Sequence, residues 1–151
     1  MFNSRVAFVV AASGLLFSGS LLAQATPVGL WKTIDDKTKT ERSLVRISEA
    51  GGVLTGKVEK LLAPDAKQDA VCDLCTDELK DKPLIGLPVV RGVKQDADDK
   101  TIWGGGTITD AKEGKVYKVR LKPIEGGSKL EVRGYVGAPI LGRTQTWIRV
   151  E

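Results

Sequence analysis

The sequence predicts an all-β protein: about eight short antiparallel strands, wound up and down into one barrel, with one longer cysteine-containing loop and a leader ahead of the fold. Three observations carry this. Alternation of apolar and polar residues with period two recurs along the chain at roughly ten-residue spacing. Turn residues such as Gly51-Gly52, Asp96 to Lys100 and Gly126-Gly127 separate the alternating runs. Only one connection, 63–83, is long, and a closed meander is the architecture that needs the fewest long crossovers.

Taken in order, the chain opens with Arg5, an apolar run over 6–22 broken by Ser and Gly, and then Ala23-Gln24-Ala25. That is the grammar of a secretory signal cut after Ala25, and the run is too short and interrupted for a membrane span. Residues 1–25 are therefore expected to be a signal peptide and 26–151 a single exported domain, periplasmic or secreted. The first strand is expected at 29–34 (GLWKTI), ended by Asp35-Asp36. A second follows at 43–48, where Val45 and Ile47 share a face, and a third at 53–62, where Leu54, Gly56, Val58 and Leu62 oppose Lys57 and Glu59. Residues 63–83 break the rhythm with Pro64, many charges and both cysteines, with room for one helical turn around 69–80. Strands resume at 87–94, 101–109 and 116–124. Gly104, Gly105 and Gly106 inside one of them point to a bulge or sharp bend at a barrel corner. The chain ends in a hairpin over 129–150, whose last run places Arg143, Gln145, Trp147 and Arg149 on one face and Thr144, Thr146, Ile148 and Val150 on the other.

Composition narrows the chemistry. The chain has 23 basic and 19 acidic residues, and losing Arg5 with the leader leaves 22 against 19. A nucleic-acid or membrane-surface role calls for a basic stripe, and none stands out. There is no histidine. This removes the commonest general base near neutral pH, the Ser/His and Cys/His nucleophile pairs and the commonest zinc ligand, so a non-enzymatic protein is expected. Asp96, Asp98 and Asp99 lack the spacing of a calcium loop and read as a turn. No phosphate-cradling or dinucleotide-binding glycine motif is present, and no cofactor is expected.

Gly29-x-Trp31 at the head of the first strand resembles the G-x-W signature of lipocalins, in which a Trp plugs the closed end of the barrel beneath an Arg from a late strand; Arg143 or Arg149 is placed to be that Arg. The wider pattern is Gly29-Leu30-Trp31, Val71-Cys72-Asp73-Leu74-Cys75, Pro83-Leu84-Ile85-Gly86, Trp103-Gly104-Gly105-Gly106, Val132-Arg133-Gly134-Tyr135 and 141–147 (LGRTQTW). Together these resemble the exported bacterial family known as domain of unknown function 2147, over essentially all of 29–149. The resemblance implies a small lipocalin-like β-barrel and no established activity.

Two constellations remain. Cys72-x-x-Cys75 has three readings. Zinc lacks ligands beyond Asp65, Asp69, Asp73 and Asp77, and a redox dithiol lacks its βαβ setting. An oxidising compartment favours a structural disulfide contributing about 2 kcal/mol or less. The second constellation, Arg133, Tyr135, Arg143, Gln145 and Trp147, is the candidate ligand site, with Gly29, Trp31 and the 104–106 glycines structural. Facing inward, two guanidinium groups would take a carboxylate or phosphate bidentately. Pattern alone puts them outside, with Leu130, Val132, Ile148 and Val150 filling the interior. The functional expectation is a small hydrophobic or amphipathic ligand in the barrel's cup. A filled barrel acting in envelope structure and a thiol-disulfide protein using Cys72 and Cys75 are the alternatives. Nothing in the sequence speaks to oligomeric state.

Overall fold

The computed structural model describes residues 25–151 and Gly14. The leader expected over 1–25 lies outside the described residues apart from Gly14 and Ala25. Eight strands follow one another in chain order: β1 Gly29–Ile34, β2 Glu41–Ala50, β3 Val53–Leu61, β4 Pro88–Gln95, β5 Trp103–Asp110, β6 Lys115–Ile124, β7 Lys129–Tyr135 and β8 Arg143–Arg149. Each pairs antiparallel with the next, and β8 returns to β1 through Trp31 opposite Arg149 and Lys32 opposite Ile148, closing the barrel. The expected strands are present with ends moved by a residue or two, β2 gaining most. The connection 62–87 contains turns and one isolated bridge, Val71 to Pro83, and no helical turn forms around 69–80. Its Asp and Lys side chains satisfy the backbone locally instead, as where Asp77 Oδ1 accepts from Leu79 N at 3.0 Å.

Period two, with one extra residue in β4 between Val90 and Val93, places Trp31, Val45, Ile47, Leu54, Val90, Val93, Val119, Leu121, Leu130 and Val132 inward, all shielded from solvent. A side chain with no exposed surface has no water-sized space beside it, so the middle of the barrel is filled by its own residues. Register shifts in the β1–β2, β2–β3, β3–β4 and β5–β6 pairs mark where the sheet bends to close. In β3 the register with β2 shifts after Leu44, so Leu61 rather than Leu62 stands opposite Ser43 on the inner face. In β5 the register shifts between Trp103 and Gly106. There a Cβ on Gly106 would lie 2.2 Å from Arg91 O and 2.7 Å from Val93 Cγ2, so only glycine allows β4 and β5 to approach.

The long connection packs on the outside of β4 and β5. Val90 faces in, so Val89 and Arg91 face out, and Arg91 donates to Asp77, Glu78 and Thr109 Oγ1. Cys72 and Cys75 form a disulfide and are buried beside Leu79 and Leu87. Cys72 Sγ lies 4.0 Å from Ala111 O on the β5–β6 turn. Among the described residues no helix is long and apolar enough to cross a membrane.

Candidate functional site

One end of the barrel is sealed. Trp31 has no exposed surface, and its Nε1 donates to Pro27 O at 2.7 Å. Arg149, directly opposite on β8, lays its guanidinium 4.2 Å from the centre of the Trp31 ring. The remaining donors of Arg149 reach Gly127 O, Val28 O at 2.9 Å and Thr26 O at 2.8 Å, tying the start of β1 to the β6–β7 turn. Gly29 has a φ of 144°, and a Cβ there would stand 2.5 Å from Arg149 Nη1. The spacing of Gly29 and Trp31 is thus a packing requirement: the glycine makes room for the arginine that covers the tryptophan. Arg149, not Arg143, fills that role. Burial lowers its pKa, because the cation has given up water for carbonyl oxygens.

The opposite end is less tightly closed. There the inward residues are only half-buried: Ser43, Leu61, Ile108, Tyr117 and Gln145, with Arg143 on the rim. The chain reverses here through the β1–β2 turn 35–40, the connection 62–87, the β5–β6 turn 111–114 and the β7–β8 connection 136–142. Gly134 lies inward among these residues: a Cβ there would lie 3.5 Å from Tyr117 Cβ and 3.7 Å from Ile108 Cγ2, in ordinary contact with both. Tyr117 sends its hydroxyl toward Glu113 at 3.5 Å, at the rim. Arg143 grips Asp36 with two bonds of 2.7 Å from Nε and Nη2, a bidentate pair that links β8 to the β1–β2 turn across the lip. Arg143 holds the Asp36 carboxyl below the usual carboxylate range, and Asp36 raises the Arg143 pKa in return. Beside them, the backbone N–H groups of Thr38 and Lys37 bring Asp35 down to about 2.

The expected constellation is divided by the register. Gly134 stands opposite Arg143, Val132 opposite Gln145 and Leu130 opposite Trp147, so Arg143, Gln145 and Trp147 face inward. Trp147 is buried beneath Gln145, whose Oε1 accepts from its Nε1 at 3.2 Å. Arg133 stands opposite Thr144, and with Tyr135 it faces outward. Its guanidinium donates to Pro139 O, Ile140 O and Thr144 Oγ1, bracing the β7–β8 connection. Leu130 and Val132 do fill the interior, but Ile148 and Val150 are exposed on the outside. The five residues are therefore not one face.

Three groups were not legible as site residues. Tyr117 is inward by the same alternation that puts Val119 and Leu121 inside, and that reading would have found it. Asp36 reads in the sequence only as the end of the first strand, and nothing there singles out Arg91. No metal-binding group of three or more His, Cys, Asp or Glu occurs among the described residues. Asp96 caps its own turn through Asp98 N and Asp99 N.

A comparison with curated proteins returned no match. Among solved structures, a protein of the human pathogen Helicobacter pylori, described as belonging to the lipocalin family, superposes with a TM-score of 0.70 at 21% identity, over 85% of each chain. That likeness concerns the fold. Residues 29–149 match the model of a family described as an uncharacterized protein conserved in bacteria (DUF2147), and the chain belongs to that family.

Proposed function

We propose that this chain is an exported, non-enzymatic barrel that takes a small amphipathic ligand at its mouth, the ligand's anionic head on Arg143 and a short apolar part against Leu61, Ile108 and Tyr117. The observation that carries this reading is the contrast between the two ends. One is sealed by Trp31 and Arg149; the other presents half-buried polar and aromatic side chains over a closed floor of Val45, Val119 and Val132. Two strand residues separate rim from floor, about 5 Å along the axis of a tilted strand, so a long chain does not fit without repacking. Lipocalin-like barrels suit such ligands, and the resemblance to one supports the class and not the identity.

Asp36 already occupies the Arg143 fork, so a ligand carboxylate must displace it. Titration of the mature protein with short- and medium-chain carboxylates, followed by tryptophan fluorescence, tests this. Arg143→Gln is expected to weaken binding about 10- to 100-fold through loss of a charge-assisted pair. Asp36→Asn is expected to strengthen it by removing the competitor. No response to any carboxylate, together with native mass spectra of protein from its own periplasm showing no bound small molecule, would remove the reading.

The filled middle favours a second reading, a structural or envelope-interaction barrel that works through its outer surface, and that negative result is what it predicts. A thiol-disulfide role has less support. Cys72 and Cys75 retain 0% and 2% exposure, so an attacking thiolate lacks access. The expected reduction potential is below about −300 mV.

A further inference from the structure

We propose that the outer face of β6 and β7, with the β7–β8 connection beside it, docks the barrel on an anionic lipid surface. In β6, Tyr117, Val119 and Leu121 face in, so Lys118, Arg120 and Lys122 form an exposed ladder on the outside. Eight cations elsewhere, Lys32, Arg42, Arg46, Lys80, Arg91, Lys115, Lys129 and Arg143, each have a carboxylate within 4.0 Å. Among the described residues, none of the three ladder cations has an ion pair at that distance. The basic stripe that linear order concealed is thus gathered by strand alternation.

Cross-strand neighbours sharpen the field at the mouth end. Arg120 stands directly opposite Arg133, an arrangement that costs stability unless an anion joins it. Arg133 spends its donors on two carbonyls and a hydroxyl, so its charge is held but not cancelled. At the sealed end Glu131 opposes Lys122, Asp99 lies within Coulomb reach of Lys122 and Arg120, and Asp96 within reach of Arg120. The positive potential therefore rises toward Lys118 and Arg133.

Charge alone would suit any polyanion; the neighbouring connection selects lipid. Arg133 holds Pro139 O and Ile140 O, which fixes the connection beside the ladder. Ile140, Leu141 and Val136 are 84%, 76% and 69% exposed, more than any other large apolar side chain among the described residues. Scattered exposed apolar residues need no explanation, but three on one short connection abutting an unpaired cation ladder match the division of labour at a bilayer surface. Cations meet the headgroups, and apolar tips enter the acyl boundary. Docked this way, the mouth lies at the bilayer.

The test is flotation of the ligand-free mature chain with vesicles of phosphatidylglycerol and phosphatidylethanolamine, against vesicles of phosphatidylcholine alone. Partition onto the anionic vesicles only, weakening with added salt, is expected. K118Q/R120Q/K122Q should weaken it about 100-fold, at about fivefold per cation removed. I140S/L141S should weaken it about tenfold or more. Both variants alter exposed side chains, so unchanged thermal melting shows that each is folded. Absence of partition, or partition that survives the triple variant, overturns the proposal. Partition indifferent to I140S/L141S also overturns it and assigns the ladder to a soluble polyanion. Because no ligand is present, the outcome is independent of whether the mouth takes one.

Discussion

Trp147→Ala measures how full the barrel is. Trp147 is 3% exposed on the inner face of β8, opposite Leu130, which has no exposed surface. Truncation removes about 140 Å³, and at about 24 cal/mol per Å³ of residual cavity the loss is about 3 kcal/mol before any transfer term, so about 4 kcal/mol is expected in all. For a domain of roughly 126 residues, with unfolding entropy near 2.1 cal/mol/K per residue, that lowers Tm by about 15 °C. The assay is thermal and urea unfolding followed by far-UV circular dichroism, with Trp147→Phe as a milder companion in case the alanine variant is marginal. The cavity should be lined by Leu130, Val132 and their neighbours and stay dry. The variant, unlike the parent, should then bind benzene or toluene and recover part of its Tm. A loss under about 1 kcal/mol would mean that Trp147 stands in solvent-filled space, and the filled-interior reasoning would fail.

Arg149→Lys keeps the charge at the sealed end but loses the planar stack on Trp31 and most of a fork that reaches three carbonyls. About 3 kcal/mol is expected, and a cost under about 0.5 kcal/mol would show that the seal is not held this way. Arg91→Ala removes the link from β4 to Asp77, Glu78 and Thr109, so limited proteolysis should cut within 62–87 at protease levels that leave the parent intact, while circular dichroism of the barrel is unchanged. Acid should loosen the mouth before the rest. Asp35 and Asp36 both have folded pKa values below the unfolded value of about 3.9, so their contribution is present above that pH and is lost as pH falls toward the folded value, about 2 for Asp35. Melting temperature should therefore fall between about pH 4 and pH 2, and less steeply in Asp35→Asn; parallel curves for the two proteins would contradict the assignment.

Strand existence was legible because period two survives any tertiary context that has one dry face, and the Gly29–Trp31 pair because its spacing is set by packing against a late arginine. The faces of neighbouring strands were not legible together. Alternation says that Arg133 and Tyr135 share a face, and that Arg143, Gln145 and Trp147 share one. Whether those two faces coincide depends on the parity of the register across 136–142, and no residue in that connection announces that Gly134 will stand opposite Arg143. The basic ladder escaped notice for the related reason that a stripe on a sheet is spread over the sequence: Lys118, Arg120 and Lys122 are separated by Val119 and Leu121, and Arg133 comes from the next strand.

The inward face of β8 looked like the outer one because it carries two arginines, and the barrel accommodates them by position along the strand. Polar groups are costly only where they lack partners, and a closed barrel has unpaired carbonyls and water at its two ends and neither in its middle. Arg149 sits at one end, where three backbone carbonyls meet it, and Arg143 at the other, where Asp36 and solvent do. Trp147, the residue between them in depth, is the apolar one. The same strand thereby closes one end with Arg149 and carries Arg143 at the other, where the proposed ligand would enter. Replacing Arg149 should alter stability without touching ligand affinity, whereas replacing Arg143 should weaken ligand affinity and also remove the stability that its pair with Asp36 supplies.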